Sequence, residues 1–280
     1  MVRVAAVQMQ PALLDVQQNL ARVADWVRQA AAQGARLVVF PEVTLSGYAI
    51  TPDEAQAAAM PIPGPATDVV SRACAEADTH VVVGLLERDP EGTLFNASVL
   101  IGPRGLRAVY RKTHLPFLGI DRYLAAGDAF VPPVDTPAGR LGLLICYDLR
   151  FPEPIRVHAL HGAQVIALST AWPAAATLYP EFMARSRAAE NRVTLIAANR
   201  VGEERGTRYL GRSLIVSPEG NVLAEAPPDR EALLLAEIEP SQSDVKRLVF
   251  TPGEYELDLF GDRRPDLYRP ITEEPGVQTA

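Results

Sequence analysis

The chain has 280 residues, of which 48% are apolar and 22% are charged, and its formal net charge is −7 at pH 7. This length can bury a full hydrophobic core, and the composition is that of an ordinary globular protein. Because nucleic acids and anionic membranes bind basic protein faces, the acidic balance argues against both as partners. No linker or low-complexity segment interrupts the sequence, so we expect a single domain over residues 1–280.

Compartment can be predicted from what the sequence lacks and from its cysteines. It contains neither a signal peptide nor a run of about 20 apolar residues, so we expect neither secretion nor membrane insertion. The only cysteines are Cys74 and Cys146, and a disulfide between them would leave Cys146 without a free thiol. We therefore expect a reducing cytoplasm.

In the first part of the chain, apolar runs alternate with amphipathic segments. Val16, Leu20, Val23 and Val27 recur at helical spacing, and Gly34 ends that pattern. The run HVVVGLLE is rich in β-branched residues and is typical of a strand. These patterns predict strands at 2–9, 36–40, 80–87, 94–101 and 106–111, and helices at 16–34 and 65–77.

The second part adds hairpins to this alternation, which favours mixed sheets over purely parallel ones. Residues 113–139 contain several Gly and Pro and little regular pattern, so we expect a long surface connection near the functional site. The final segment, 256–271, is charged, aromatic and irregular. The patterns predict strands at 140–145, 163–170, 193–200 and 232–238, helices at 151–162, 181–192 and 241–249, and a hairpin at 211–226.

Three apolar strand-like runs each end in a reactive side chain. RLVVFPE ends at Glu42, LRAVYRK at Lys112 and LGLLICYD carries Cys146. Open α/β sheets present their functional groups beyond the carboxyl ends of strands, so these residues predict one active site built from distant segments. A carboxylate base and a cation suit a thiol that must ionise to attack a carbon bonded to nitrogen.

The roles follow from the chemistry of each group. Glu42 would be the general base, and Lys112 would favour the thiolate of Cys146 and then hold the oxyanion. The backbone N–H of Tyr147, next to the nucleophile, would assist Lys112. Once protonated, Glu42 could pass its proton to the departing amine and then activate the water that cleaves the thioester.

Three segments in this order resemble the signatures of the nitrilase superfamily, the carbon–nitrogen hydrolases with a Glu-Lys-Cys triad: FPEVTLSGY (40–48), YRKTHLP (110–116) and ICYDLRFPE (145–153). The resemblance covers nearly the whole chain. It implies an α-β-β-α sandwich with mixed sheets, an acyl-enzyme mechanism without a metal or organic cofactor, and a homodimer or larger homo-oligomer. It also implies that 256–280 form a C-terminal arm that contacts a partner subunit.

Each residue of the predicted triad also has an ordinary structural interpretation. A free cysteine is usually a buried core residue, and we expect this for Cys74, which lies in the helical pattern SRACAEAD without an acid or base motif. Glu42 alone could be a solvated acid. Lys112 follows Arg111, and strand alternation sends the two side chains to opposite faces, so the family resemblance selects Lys112.

A second acid is less clearly marked. Relatives commonly carry a Glu after the lysine segment, whereas the loop here, THLPFLGIDRYLAAGD, has none. Asp121 is the best candidate, and Asp128 suits a structural turn.

Candidates for substrate contacts are Tyr48, Arg150 and Trp172. Arg150 stands where relatives that hydrolyse N-carbamoyl amino acids use a cation to hold the substrate carboxylate; the alternative is a salt bridge with Glu153 or Asp148. Trp172 would form a wall of the acyl pocket or pack in the core.

Histidines offer alternatives that we disfavour. His158 and His161 have helical spacing, but no third ligand completes a metal site nearby, so we expect no metal. A Cys-His hydrolase that uses His114 is the formal alternative mechanism.

The sequence thus predicts a thiol amidohydrolase that cleaves the non-peptide C–N bond of a small linear carboxamide or N-carbamoyl compound and releases ammonia. The residues after Cys146 look like those of the amidase branches, including ω-amidases, whereas nitrilases proper usually show Trp-Glu there. A nitrilase and a non-catalytic oligomeric scaffold of the same fold are the alternatives.

Overall fold

The structure is a computed structural model that describes residues 1–273. It contains one compact unit from Met1 to Asp244 and a second that begins at Val245. Residues 274–280, the end of the arm expected at 256–280, lie outside the described part. Each helix in the described range is too short or too polar to cross a membrane.

The strands of the described residues are numbered here in chain order. They are β1 Val2–Gln8, β2 Leu37–Val39, β3 His80–Arg88, β4 Leu94–Gly102, β5 Gly105–Arg111, β6 Val134–Thr136, β7 Gly139–Ile145, β8 Val165–Ser169, β9 Thr194–Ala198, β10 Glu203–Glu204, β11 Thr207–Arg208, β12 Leu214–Val216, β13 Val222–Glu225, β14 Ala232–Ile238, β15 Arg247–Thr251 and β16 Tyr255–Asp258.

The helices are numbered in the same way. They are α1 Val16–Ala32, α2 Pro52–Ala58, α3 Pro65–Ala77, α4 Glu153–Leu160, α5 Ala184–Asn191 and α6 Arg269–Thr272.

Two six-stranded mixed sheets form the first unit. The first has the order β14-β1-β2-β3-β4-β5, with β1, β2 and β3 parallel and the outer pairings antiparallel. The second has the order β13-β12-β9-β8-β7-β6, with β7, β8 and β9 parallel. This confirms the predicted mixed sheets.

The two sheets contact each other through β1 to β4 on one side and β7 to β9 on the other. Helices α1 and α3 contact each other and share an apolar core with the first sheet. On the second sheet, α5 contacts β9, β12 and α4. The predicted α-β-β-α sandwich is therefore confirmed. Its layers follow from the burial of the central strands on both faces, which their continuous apolar runs indicate.

Local signals explain the helix boundaries. The side chain of Asp15 accepts a hydrogen bond from the Gln18 N–H and starts α1. Helix α2 was not predicted, although Thr51 and Glu54 form a capping box that marks its start. Helix α5 is preceded by one π-helical turn, Tyr179–Met183.

The predicted helix at 241–249 is wrong. Pro240–Asp244 form a 3-10 turn, and the following residues form strand β15. Strand β15 pairs antiparallel with β16, with Arg247 opposite Asp258. Segment 256–271 is accordingly less irregular than predicted. The sequence RLVFT is rich in β-branched and aromatic residues, which suit a strand, and pairing with β16 determined its structure.

Candidate active site

Glu42 lies on a segment that joins the two sheets beyond the end of β2. The Phe40 N–H donates to the Val82 carbonyl in the first sheet (2.8 Å), and the Glu42 N–H donates to the Thr170 carbonyl after β8 (3.2 Å). A Cβ on Gly84 would lie 2.6 Å from the Pro41 carbonyl oxygen. Position 84 of β3 must therefore be glycine for this segment to approach so closely.

Lys112 follows the end of β5, and its side chain is completely buried between two carboxylates. Its Nζ lies 2.6 Å from Glu42 Oε1 and 2.5 Å from Asp121 Oδ2, and all three side chains are inaccessible to solvent. The preceding residue, Arg111, faces the other way and pairs with Glu87 through two hydrogen bonds of 2.7 Å. The alternation predicted for the two cations is confirmed.

Asn96 and Tyr48 complete this buried network. Asn96 Nδ2 donates to Glu42 Oε1 (2.7 Å) and to Asp121 Oδ1 (2.8 Å). The Tyr48 hydroxyl donates to Asp121 Oδ2 (2.8 Å). Asp121 thus accepts hydrogen bonds from Lys112, Asn96 and Tyr48. Sequence reasoning missed Asn96, whose only signal is an amide inside the largely apolar strand β4.

Cys146 occupies a strained turn at the end of β7. Its φ of 43° lies in the left-handed region, which a non-glycine residue rarely adopts. Asp148 supports the turn, because its Oδ2 accepts from the Ile145 N–H (2.9 Å) and from the Tyr110 hydroxyl (2.8 Å). Tyr110 belongs to β5, so Asp148 connects the thiol segment to the strand that directly precedes Lys112. This role of Asp148 was not predicted.

Burial and nearby charges act on the Cys146 thiol together. Burial, with the Glu42 charge, raises its pKa well above the ordinary value, while Lys112 and a hydrogen bond from the Ala171 backbone act in the opposite direction. The resting thiol is therefore protonated at neutral pH. Lys112 does lower the pKa of the Cys146 thiol, as expected, but the increase caused by burial is larger.

Glu42 and Lys112 respond differently to the same burial. Burial raises the pKa of Glu42 above its ordinary value in spite of the Lys112 charge. Burial alone would lower the pKa of Lys112, but the Asp121 and Glu42 carboxylates outweigh it and raise that pKa. Lys112 thus stays charged, and Glu42 has the higher proton affinity that a general base requires.

One oxygen of Glu42 has no partner. While Oε1 is held by Lys112 and Asn96, the buried Oε2 has no hydrogen bond among the described residues. A buried carboxylate oxygen normally has a hydrogen-bond partner. Because Oε2 has none among the described residues, it can accept a proton from a reacting group. The carboxylate is fixed on one side and open on the other.

Of the residues predicted to contact substrate, Tyr48 belongs to this network, and Trp172 follows Ala171, whose backbone forms a hydrogen bond to Cys146. Tyr48 and Ala171 line a cavity of about 30 Å³, together with Ala49, Leu118, Gly119, Pro173, Thr207 and Tyr209. Trp172 is buried and stacks on Tyr179 with 5.3 Å between ring centroids. A cavity of this size holds about two water molecules, so the space beside the network is small.

Arg150 and Tyr147 lie on the 3-10 turn Cys146–Arg150. The Tyr147 ring contacts Phe151 edge to face. Arg150 is exposed, and among the described residues it forms an ion pair with neither Glu153 nor Asp148. The salt bridge considered for Arg150 is therefore wrong, because Asp148 is turned inward to support the thiol segment.

The histidines have other partners. His114 Nδ1 lies 2.8 Å from Asp148 Oδ1, and its ring stacks on Phe151. His158 is buried against the edge of Phe130. In residues 1–273 no three His, Cys, Asp or Glu side chains are grouped to hold a metal ion.

A buried thiol, a carboxylate and an ammonium held beyond the strand ends of an α-β-β-α sandwich define a thiol hydrolase. A family model described as carbon-nitrogen hydrolase matches residues 3–247. The chain belongs to this carbon–nitrogen hydrolase family, the nitrilase superfamily that its three segments resemble.

Several relatives cover almost the whole chain. It is 37% identical over 272 residues to a protein named nitrilase from Pyrococcus abyssi, covering 96% of this chain and 99% of that protein. It is 31% identical over 290 residues to the omega-amidase NIT2 of Homo sapiens, covering 98% of this chain and 99% of that protein.

Among solved structures, the NitN amidase of Nesterenkonia sp. AN1 superimposes with a TM-score of 0.83 at 27% identity, covering 97% of this chain and 100% of that chain. In a variant of that amidase, acrylamide is attached to the active-site cysteine by Michael addition.

Proposed function

We propose that the protein is a thiol amidohydrolase that cleaves the non-peptide C–N bond of a small linear carboxamide or N-carbamoyl compound and releases ammonia. In this proposal Cys146 is the nucleophile, Glu42 the general base and Lys112 the oxyanion-binding cation. The main support for this proposal is the geometry of the Glu42 carboxylate. Lys112 and Asn96 hold one of its oxygens, and the other oxygen is buried without a hydrogen-bond partner among the described residues. The relatives named amidase and omega-amidase support the amide as substrate.

The first half-reaction transfers the acyl group to sulfur. Glu42 Oε2 takes the proton of the Cys146 thiol as Sγ attacks the carbonyl carbon. An ammonium has three N–H donors, and Lys112 directs two of them to Glu42 and Asp121. The third N–H and the Tyr147 backbone N–H stabilise the oxyanion. Glu42 then protonates the substrate nitrogen, the C–N bond breaks, and ammonia leaves a thioester at Cys146.

The second half-reaction consumes one water molecule. Glu42, again a carboxylate, removes a proton from water as its oxygen attacks the thioester carbon. Collapse of this second tetrahedral intermediate breaks the C–S bond, and the proton returns from Glu42 to the sulfur. A raised pKa suits Glu42 for both directions of transfer, because it holds a proton better than an ordinary carboxylate.

Ammonia release tests the proposed function. Wild type and Cys146→Ala would be incubated with small amides, N-carbamoyl compounds and nitriles, and ammonia would be measured. We expect turnover of amides or carbamoyl compounds by wild type alone, with an acyl adduct on Cys146 in mass spectra of quenched samples. Turnover confined to nitriles would support the alternative that the protein is a nitrilase, which is the name of one relative. Absence of turnover and adduct would support a non-catalytic scaffold.

Arg150 supplies a hypothesis about the substrate class. It is exposed on the turn that begins with Cys146, and its charge acts on the pKa of Tyr179, which stacks on Trp172. If it holds a substrate carboxylate, Arg150→Ala should raise KM about tenfold for carboxylate-bearing amides and leave neutral amides unchanged. Arg187→Ala, which removes a nearby cation that contacts the Arg150 carbonyl, is the control. An equal loss on both substrate types would contradict the carboxylate clamp.

The remaining expectations concern assembly and compartment. We propose a homodimer or larger homo-oligomer in the cytoplasm, with 1–280 as one hydrolase domain and 256–280 as an arm that contacts a neighbouring subunit. Support comes from the family resemblance and from the need to keep Cys146 reduced. Light scattering of the full chain and of a form truncated before residue 256 would test the arm.

A further inference from the structure

A second buried ion pair lies beside the proposed site and has no part in the mechanism above. Arg200 and Glu204 form it, and both side chains are almost completely inaccessible to solvent. The Arg200 guanidinium also lies over the Tyr209 ring, 4.3 Å from its centroid. Within the described residues, Arg200 Nε and Nη1 have no hydrogen-bond partner. Glu204 is therefore the group that compensates this charge.

The other oxygen of Glu204 holds the wall of the cavity. Its Oε2 accepts hydrogen bonds from the backbone N–H groups of Tyr48 and Ala49, each at 3.0 Å, and from the Tyr209 hydroxyl at 2.9 Å. Tyr48, Ala49 and Tyr209 all line the small cavity. One carboxylate thus fixes two segments that are far apart in sequence.

The backbone before Tyr48 is shaped to fit this carboxylate. Gly47 has a φ of +87°, and a Cβ there would lie 2.5 Å from Glu204 Oε1. Glycine is therefore required twice, for its conformation and for the close approach of Glu204. The contact between Glu204 and the backbone at Gly47 thus requires this close approach, and, unlike a surface ion pair, the Arg200–Glu204 pair is buried.

Tyr48 connects this anchor to the catalytic network. Its backbone is held by Glu204, and its hydroxyl donates to Asp121 Oδ2, the atom that also binds Lys112 Nζ. A buried ion pair contributes little net stability compared with an apolar pair, so its presence here is better explained by what it positions.

We infer that Glu204 is a positioning residue that acts through Tyr48: it fixes the Tyr48 backbone so that the hydroxyl holds Asp121, and thereby Lys112, in place for the reaction. This inference rests on the proposed function of the same site. It assigns Glu204 no contact with the substrate or with the reacting atoms.

A double-mutant cycle between Glu204 and Tyr48 tests the inference. Glu204→Gln and Tyr48→Phe should each lower kcat/KM for the preferred amide by about tenfold or more, because small displacements of catalytic groups are costly. If Glu204 acts through Tyr48, the double variant should stay within about threefold of the poorer single variant. A merely structural Glu204 would instead give the product of the two losses.

Glu87→Gln is the matched control. It also removes the charge of a buried glutamate that pairs with an arginine, the partly exposed Arg111, but Glu87 contacts neither the cavity nor Asp121. We expect it to leave kcat/KM within about twofold of wild type, with or without Tyr48→Phe. Thermal unfolding of each variant, measured alongside, ensures that activities are compared on folded protein.

If Glu204→Gln fails to fold because Arg200 is left unpaired, Glu204→Asp replaces it in the cycle. The shorter side chain keeps the charge but withdraws its oxygens from the Tyr48 and Ala49 N–H groups. Multiplicative losses, or a folded Glu204 variant with wild-type kcat/KM, would overturn the inference. Failure of the proposed function would look different: wild type would release no ammonia, and the same cycle would then be read from the alkylation rate of Cys146 by iodoacetamide.

Discussion

Cys74 lies on α3 and faces the first sheet, whereas Cys146 lies beyond the strand ends where the two sheets meet. Burial raises the pKa of both thiols, that of Cys74 to about 12. Burial accounts for the raised pKa of Cys74, and within residues 1–273 the polar contact of its thiol is with the Ile101 carbonyl oxygen at 3.7 Å. Cys146 instead has a base, a cation and a backbone donor acting on it.

This difference shows what separates a reactive thiol from a structural one in this chain. Both are protonated at rest, so a low pKa does not mark the nucleophile. Cys146 is 9% exposed, whereas Cys74 is fully buried, so Cys146 is the more accessible of the two residues. The proposed nucleophile is then a neutral thiol activated at the moment of attack by a fixed carboxylate, as a serine is activated by its histidine.

The largest effect expected from this comparison is on turnover. Cys146→Ser should lower kcat by at least about a thousandfold, because a hydroxyl is far harder to ionise than a thiol beside the same carboxylate. Cys74→Ala should keep wild-type kcat and lose about 1 kcal/mol of unfolding free energy, since it removes one buried atom from an apolar cluster. Steady-state ammonia assays measure kcat, and urea titrations measure the free energy of unfolding.

If Cys146→Ser kept activity within tenfold of wild type, the thioester route would be refuted. Loss of turnover in Cys74→Ala with an unchanged fold would show that the two thiol environments are not separate in function.

The contrast between these two regions also explains what the sequence could predict. Glu42, Lys112 and Cys146 each follow an apolar run, and such local patterns correctly indicated that all three lie at strand ends. The separate face of Arg111 followed from the period of a strand. Local patterns likewise predicted the buried, helical Cys74.

The supporting hydrogen bonds could not be predicted in this way. Asn96 reaches Glu42 across 54 residues of sequence, and Asp148 reaches Tyr110 across 38. Such contacts depend on the register of β4 and β5 and on how the two sheets pack, which no local period encodes. The misassigned helix at 241–249 has the same cause, because the pairing with β16 determined the structure of β15.

Substitution of Asp121 should have a smaller effect on activity and tests which charges distinguish the environment of Cys146 from that of Cys74. Its charge raises the pKa of Glu42 and helps to hold Lys112, so Asp121→Asn removes part of what distinguishes Cys146 from Cys74. We expect kcat/KM to fall about a hundredfold, as for loss of one positioned ionic contact in a buried site. The acid limb of its pH profile should also shift to lower pH, because Glu42 would lose its proton more easily.

The pH profile separates a role in the reaction from general damage. Asp128→Asn changes an exposed acid in the same loop and should leave both kcat/KM and the acid limb unchanged. A hundredfold loss in Asp121→Asn without any shift of the acid limb would contradict the electrostatic coupling to Glu42.

His158 extends the comparison to a base that is buried like Cys74. Burial lowers its pKa from 6.5 to about 4, and its Nε2 has no hydrogen-bond partner among the described residues. Between these two pH values the unfolded chain binds a proton that the folded protein excludes, so stability falls as pH falls from about 6.5 to about 4. At pH 5 this one group should cost about 2 kcal/mol of unfolding free energy.

Urea unfolding of wild type and His158→Gln at pH 7 and pH 5 measures this cost. The two proteins share all other titrating groups, so the stability difference between them should narrow by about 2 kcal/mol at the lower pH. A constant difference for His158→Gln would mean that burial does not lower the pKa of this side chain, and the same reasoning for Cys74 would fail with it.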